Sequence, residues 1–129
     1  MLVENDLPEE TTVHWHGVRV PNARDGVPPL TQAPIEPGGS FAYEFTAHDA
    51  GTFWYHPHQR SFEQVGRGLY GPLIVEEQQP IRVDRDVTWI LDDWRLDGRG
   101  QISDDFGSPH DMTMSGRVGN TVTINGSLP

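Results

Sequence analysis

The stretches Thr11–Gly17, "TTVHWHG", and Thr52–His58, "TFWYHPH", decide how this chain is read. Each holds two histidines one residue apart, and together they carry four of the chain's six histidines. β-Branched and aromatic residues surround both pairs, which is strand chemistry. Side chains alternate across a strand, so residues i and i+2 share a face about 6.5–7 Å apart. His14 and His16 are therefore expected to point the same way, with Trp15 turned opposite into packing. The same spacing places His56 and His58 together when Pro57 keeps the backbone extended, as its fixed φ favours. If the two strands are neighbours, four imidazoles converge on one surface. Imidazole suits zinc, copper, iron and nickel. One exposed His-x-His is commonly two histidines and nothing more, whereas two pairs on two strands of a short chain point to a metal site. The candidate ligands are His14, His16, His56 and His58.

Composition narrows the setting. The chain has 129 residues, 35% of them apolar, and 14 glycines and 11 prolines suit a loop-rich all-β fold. A formal net charge of −10 has the wrong sign for a phosphate backbone or an anionic membrane surface, so neither a nucleic acid nor a membrane is an expected partner. With no cysteine, this chain offers no disulfide, no thiolate nucleophile and no thiolate ligand. No apolar run approaches the ~20 residues that span a bilayer, and "MLVENDLPEE" shows no export signal.

Along the chain, "MLVEN" reads as the end of a strand. Strands are expected over 11–16, 40–46, 52–55 and 69–75, the last with an edge or bulge at Gly71–Pro72. Val20–Gly39 reads as a long Pro/Gly/Asn/Asp loop, and residues 59–68 as a short helical turn. Composition turns charged at Glu76–Asp86, as in a linker. "VTWILDDW" then opens a new unit, with Trp89, Ile90, Leu91 and Trp94 expected in its core. Residues 95–120 show almost no periodic pattern, and "TVTINGSLP" reads as a strand and turn. The expected division is a partial domain over 1–79, a linker over 80–86 and the beginning of a second domain over 87–129. The chain is expected to be a fragment, with strands of the first domain preceding Met1.

"HWHG" (His14–Gly17), "EPGGS" (Glu36–Ser40), "GTFWYHPH" (Gly51–His58) and "GLYGPLIVEE" (Gly68–Glu77) resemble the first cupredoxin domain of the multicopper oxidases, which include laccases and bacterial copper-tolerance oxidases. "LDDWRLDGRG" and "INGSLP" resemble, more loosely, the start of the second cupredoxin domain. The resemblance implies an all-β, cupredoxin-like Greek-key β-sandwich, incomplete in its first domain. It implies an oxidoreductase coupling one-electron substrate oxidation to four-electron reduction of O₂ to water. Its cofactor is copper, with the four histidines supplying half the ligands of a trinuclear cluster. His14 would serve the type 2 copper, His16 and His56 one type 3 copper, and His58 the other. Asp25, in "NARDGVP", would feed protons to the cluster; as a plain loop residue it would only shape a turn before Gly26. The type 1 copper needs a cysteine, which this chain lacks. The remaining ligands would come from a C-terminal cupredoxin domain, in cis or from a neighbouring subunit, and the isolated chain is expected to be inactive. Phenols, aromatic amines and Cu(I) are the implied reducing substrates, and the periplasm or the extracellular space the implied location.

Two other functions fit the same histidines: a copper-binding or copper-tolerance module without oxidase activity, and a mononuclear His-x-His metal site. His48 reads as a solvated turn residue. "HDMTM" (His110–Met114) reads as hydrophobic filler before it reads as an accessory cuprous site, although thioethers suit Cu(I). Arg60, Gln64 and Arg67 follow the second histidine pair and are candidates to support it. Asp92–Asp93 and Asp104–Asp105 read as solvated charges.

Overall fold

Trp15 anchors the first unit. It is 1% exposed, and the Tyr43 and Phe45 rings meet its indole edge-on at 5.3 and 5.2 Å. This protein is described here by a computed structural model covering residues 1–114 and 116–129. The chain divides into two units, Met1–Pro80 and Ile81–Pro129. Residues 76–90 carry no helix or strand. Among the described residues no helix is long and apolar enough to cross a membrane.

In the first unit, β1 (Leu2–Glu4) pairs antiparallel with β3 (Ser40–Ala42), Val3 opposite Phe41. A three-stranded antiparallel sheet has the order β2 (His14–His16), β4 (Gly51–His56), β5 (Gly71–Val75). Trp15, Ile35 and Tyr43 form the buried core, with Val3, Val13, Val18, Val20, Phe41, Phe45 and Leu73 packed around it. Burying such side chains supplies the main favourable term of folding. Alternation along β2 does what the pattern predicted: Trp15 goes inward, and the two histidines go to the opposite face.

The strands are shorter than their sequence signals, for identifiable reasons. The stretch expected as a strand over 11–16 is ladder-paired only at His14–His16. Thr11 instead exchanges two backbone hydrogen bonds with Ile35, and the Val13 N–H donates to the Tyr43 hydroxyl at 3.0 Å. The first expected residues of the 69–75 strand go elsewhere, since the Leu69 N–H donates to the Gln64 carbonyl and closes a helical turn. That turn, α1 (Ser61–Gln64) running into a 3₁₀ turn at Val65–Arg67, occupies the predicted helical segment. Pro72 lies opposite Trp54 on β5, an outer strand of its sheet, where the missing N–H is tolerated.

In the second unit, β6 (Leu91–Trp94) and β7 (Thr121–Ile124) form an antiparallel ribbon with Leu91 opposite Ile124. Trp94 Nε1 donates to Thr123 Oγ1 at 3.0 Å on one face. Leu91 lies on the other face and is 67% exposed, and Trp89, ahead of the ribbon, is 69% exposed. The expectation that both are core residues is therefore corrected: the packing in this unit gathers on the Trp94–Thr123 face. Residues 95–120, expected to lack pattern, contain α2 (Pro109–Thr113). Ser108 caps it by accepting from the Asp111 N–H, and Pro109 sits in its first turn. Asp111, 7% exposed, accepts from the two terminal Arg95 guanidinium nitrogens at 2.9 Å each.

Candidate metal centre

Strand register builds the site. On the β2–β4 ladder His14 lies opposite His56, and His16 lies opposite Trp54. Directly opposed residues share a face, so three histidines and one indole emerge together. The His14 ring centroid lies 5.6 Å from His16, 5.3 Å from His56 and 5.3 Å from His58. The His16 and His56 centroids are 5.4 Å apart. One ring nitrogen from each of His14, His16 and His56 lies within 4.8 Å of the others. His58, just beyond the end of β4, stands beside this trio, its ring 6.0 Å from that of His56. The convergence expected of the four imidazoles is thus realised.

Hydrogen bonds to backbone carbonyls fix the tautomers of His14 and His56. His14 Nδ1 lies 2.8 Å from the Asp25 carbonyl oxygen, and His56 Nδ1 lies 2.9 Å from that of Pro57. A carbonyl only accepts, so each Nδ1 carries a proton, and in a neutral ring the lone pair lies on Nε2. His16 Nδ1 lies 3.1 Å from His56 Nε2, where it donates to the His56 lone pair, and a bound ion would take the place of that proton. Burial pushes the His56 imidazole below the ordinary histidine pKa, and the neighbouring rings of His14, His16 and His58 push the same way against the Pro57 carbonyl. The neutral form that can bind a metal is therefore the favoured one at His56.

Asp25 reaches the site from the 3₁₀ turn Asn22–Arg24 that it caps. Its carboxylate Oδ1 is 3.3 Å from His14 Nδ1 and its side chain is 33% exposed, so it touches both the histidine and solvent. Gly26 allows this approach. It adopts φ +72°, and a Cβ there would lie 1.9 Å from the Val13 carbonyl oxygen.

The residues following the second histidine pair do not touch the rings by these contacts. Arg60 pairs with Glu9 and Glu63, and Arg67 with Glu63. Gln64, fully buried, bonds Thr11 and the Glu10 carbonyl. His48 is exposed beside the bend at Asp49, while Met112 and Met114 are 76% and 68% exposed.

Sequence reasoning missed Trp54. Its ring centroid is 4.2 Å from that of His56 and 5.0 Å from that of His16, tilted 30° to each. The signal was present, since residue 54 lies two positions before His56 on an outward-facing strand row. Thr12 was missed as well: its hydroxyl accepts from the His58 N–H at 3.1 Å.

Against known proteins, the family model described as "Multicopper oxidase" matches residues 1–80. Copper resistance protein A of Pseudomonas syringae pv. tomato is 46% identical over 96 residues, 73% of this chain and 15% of that protein. Multicopper oxidase MmcO of Mycobacterium tuberculosis is 41% identical over 91% of this chain and 23% of that protein. The crystal structure of a multi-copper oxidase from Pseudomonas parafulva superposes with a TM-score of 0.90 at 46% identity, covering 98% of this chain and 31% of that one. The chain thus spans less than a quarter of the length of these two sequence relatives, and its all-β architecture is that of a cupredoxin-like segment. The His-x-His strands, their shared face and these likenesses together place the chain in the multicopper oxidase family.

Proposed function

We propose that this chain is the N-terminal part of an oxidase that couples one-electron oxidation of a reducing substrate to reduction of O₂ to water, and that it supplies half the ligands of a trinuclear copper cluster. The observation that carries this reading is the 3.1 Å separation of His16 Nδ1 and His56 Nε2. Two imidazole nitrogens each about 2.0–2.1 Å from one tetrahedral ion lie about 3.3 Å apart. The pair is therefore already near the spacing of two ligands on a single ion. An all-imidazole donor set also fits copper.

In this reading His16 and His56 hold one type 3 copper, His58 the other, and His14 the type 2 copper. Bound copper would supply the one-electron redox chemistry by which O₂, four electrons and four protons become two waters. The protein's residues do the rest. The Asp25 and Pro57 carbonyls hold His14 and His56 with Nε2 as the ligating nitrogen. The Asp25 carboxylate, partly exposed and 3.3 Å from His14 Nδ1, would pass protons inward from solvent. A type 1 copper would draw its thiolate from a C-terminal cupredoxin domain, in cis or from a neighbouring subunit, since this chain has no cysteine. The reducing substrate would be a phenol, an aromatic amine or Cu(I), and the protein periplasmic or secreted, as the family resemblance suggests.

Copper counting tests the reading. In the copper-loaded parent protein, His58→Ala should lower copper content and oxygen consumption while leaving an ion on His16 and His56. One ion per chain, lost in His14→Ala, His16→Ala or His56→Ala and indifferent to His58→Ala, would establish a mononuclear three-histidine site instead. The same trio of mutually close nitrogens favours that alternative.

A further inference from the structure

We propose that Thr12 is the positioning residue for His58, its hydroxyl holding the His58 backbone just past the point where the β2–β4 ladder ends. This rests on the reading of the site as a copper centre. The β2–β4 ladder pairs His16 with Trp54, Trp15 with Tyr55 and His14 with His56. Continued in the same register, it sets Val13 opposite Pro57 and Thr12 opposite His58. Backbone pairing stops there. Pro57 has no N–H, the Val13 N–H is taken by the Tyr43 hydroxyl, and the Pro57 carbonyl accepts from His56 Nδ1 and Ser61 Oγ. His58 thus lies off the ladder, and nothing in strand geometry alone holds its ring beside the other three.

The hydroxyl of Thr12 accepts from the His58 N–H at 3.1 Å. Thr12 is 1% exposed, so water does not compete for that hydroxyl. The segment carrying it is itself anchored. Thr11 Oγ1 donates to Gln64 Oε1 at 2.7 Å, Gln64 Nε2 donates to the Glu10 carbonyl at 2.9 Å, and Gln64 is 0% exposed. A buried amide thereby ties the residues ahead of the first histidine pair to the helical turn behind the second. Satisfied buried networks of this kind rigidify their surroundings. Thr12 does not touch the metal; it acts through the backbone of His58.

The test uses two independent measurements on the purified parent protein. Amide hydrogen exchange of His58 in the metal-free protein reads the hydrogen bond, and Cu(II) titration reads its consequence. Thr12→Val, which keeps the branching and removes the hydroxyl, should speed His58 exchange about five-fold, the worth of one typical hydrogen bond. It should weaken the copper ion that His58→Ala abolishes by about ten-fold, the lower range for losing an outer partner of a ligand. Thr12→Ser should restore both. If Val unfolds the sheet, Thr12→Ala makes the same comparison without an added methyl. Unchanged exchange, or copper binding by Thr12→Val equal to the wild type, overturns the proposal. A wild type that protects His58 yet takes up no copper overturns the copper reading and with it the positioning role. The exchange data tell that failure apart from a failure of the hydrogen bond.

Discussion

Gly26→Ala should disable His14 without altering its side chain. The Cβ of an alanine placed on the Gly26 backbone would lie 1.9 Å from the Val13 carbonyl oxygen, 2.5 Å from its carbon and 3.0 Å from the His14 nitrogen. Real Cβ contacts do not fall below 3.0 Å, so the 25–26 turn must retreat from β2 by about 1.1 Å, the difference between 3.0 and 1.9 Å. The conformation at φ +72° adds about 1–2 kcal/mol for any residue with a Cβ. The same retreat carries the Asp25 carbonyl away from His14 Nδ1. Their 2.8 Å separation becomes as much as about 3.9 Å, beyond the ~3.2 Å limit of an ordinary N–H···O bond. His14 then loses the partner that keeps its proton on Nδ1. Loss of such a partner typically costs ~10–100-fold in metal affinity. Calorimetric titration of Cu(II) into Gly26→Ala should show that loss, and long-range ¹H–¹⁵N spectra of the metal-free protein should show His14 as a mixture of tautomers. A variant that stays folded, keeps His14 protonated at Nδ1 and binds copper like the wild type would refute the reasoning.

Three further outcomes follow from other contacts. Trp54 lies against His56 and His16, so Cu(II) should quench its fluorescence, and Trp54→Phe should abolish most of the copper-dependent quenching; quenching that survives the substitution counts against this contact. Tyr43→Phe keeps the packing on Trp15 but strips the acceptor from the Val13 N–H, so urea unfolding should register a loss of about 1–3 kcal/mol, and a neutral result would mean that water replaces the hydroxyl. In the second unit, hydrogen bonding to Arg95 holds the Asp111 carboxyl below the usual carboxylate range. Its contribution is therefore present above the unfolded-state value of about 3.9 and is lost as the pH falls through the lower folded value. Arg95→Gln should raise the pH at which circular dichroism reports acid unfolding of that unit, and an unmoved midpoint would refute the pairing.

Much of the site was legible because it depends on period-two alternation. "HWH" and "HPH" declare a shared face for each pair without any three-dimensional information. What the pairs alone do not declare is register. A slip of one residue between β2 and β4 would have set His14 against Tyr55 or Pro57 and turned the pairs apart. Asp25 was identified by resemblance, but its carbonyl contact with His14 depends on a close backbone approach that only the conformation of Gly26 reveals. The expected core at Trp89 and Leu91 failed because apolar character marks a residue that can be buried, not one that is. Leu91 and Trp94 belong to the same strand and lie on opposite faces, and hydrophobicity does not distinguish them. Helix α2 was overlooked as a periodic segment because five residues are too few to show a period. Its signature was the cap: Ser108, then Pro109, with Asp111 three residues on.

The 3.1 Å meeting of His16 and His56 joins residues 40 apart in sequence. An ion gripping both would act as a reversible cross-link in a chain that has no cysteine with which to make a permanent one. Closing a loop of that length by a covalent bridge removes roughly 4 kcal/mol of unfolded-chain entropy on the usual loop-closure estimate. Bound metal and folded sheet would then share one equilibrium, each raising the population of the other, so the supply of copper would set mechanical integrity as well as chemistry in this part of the protein.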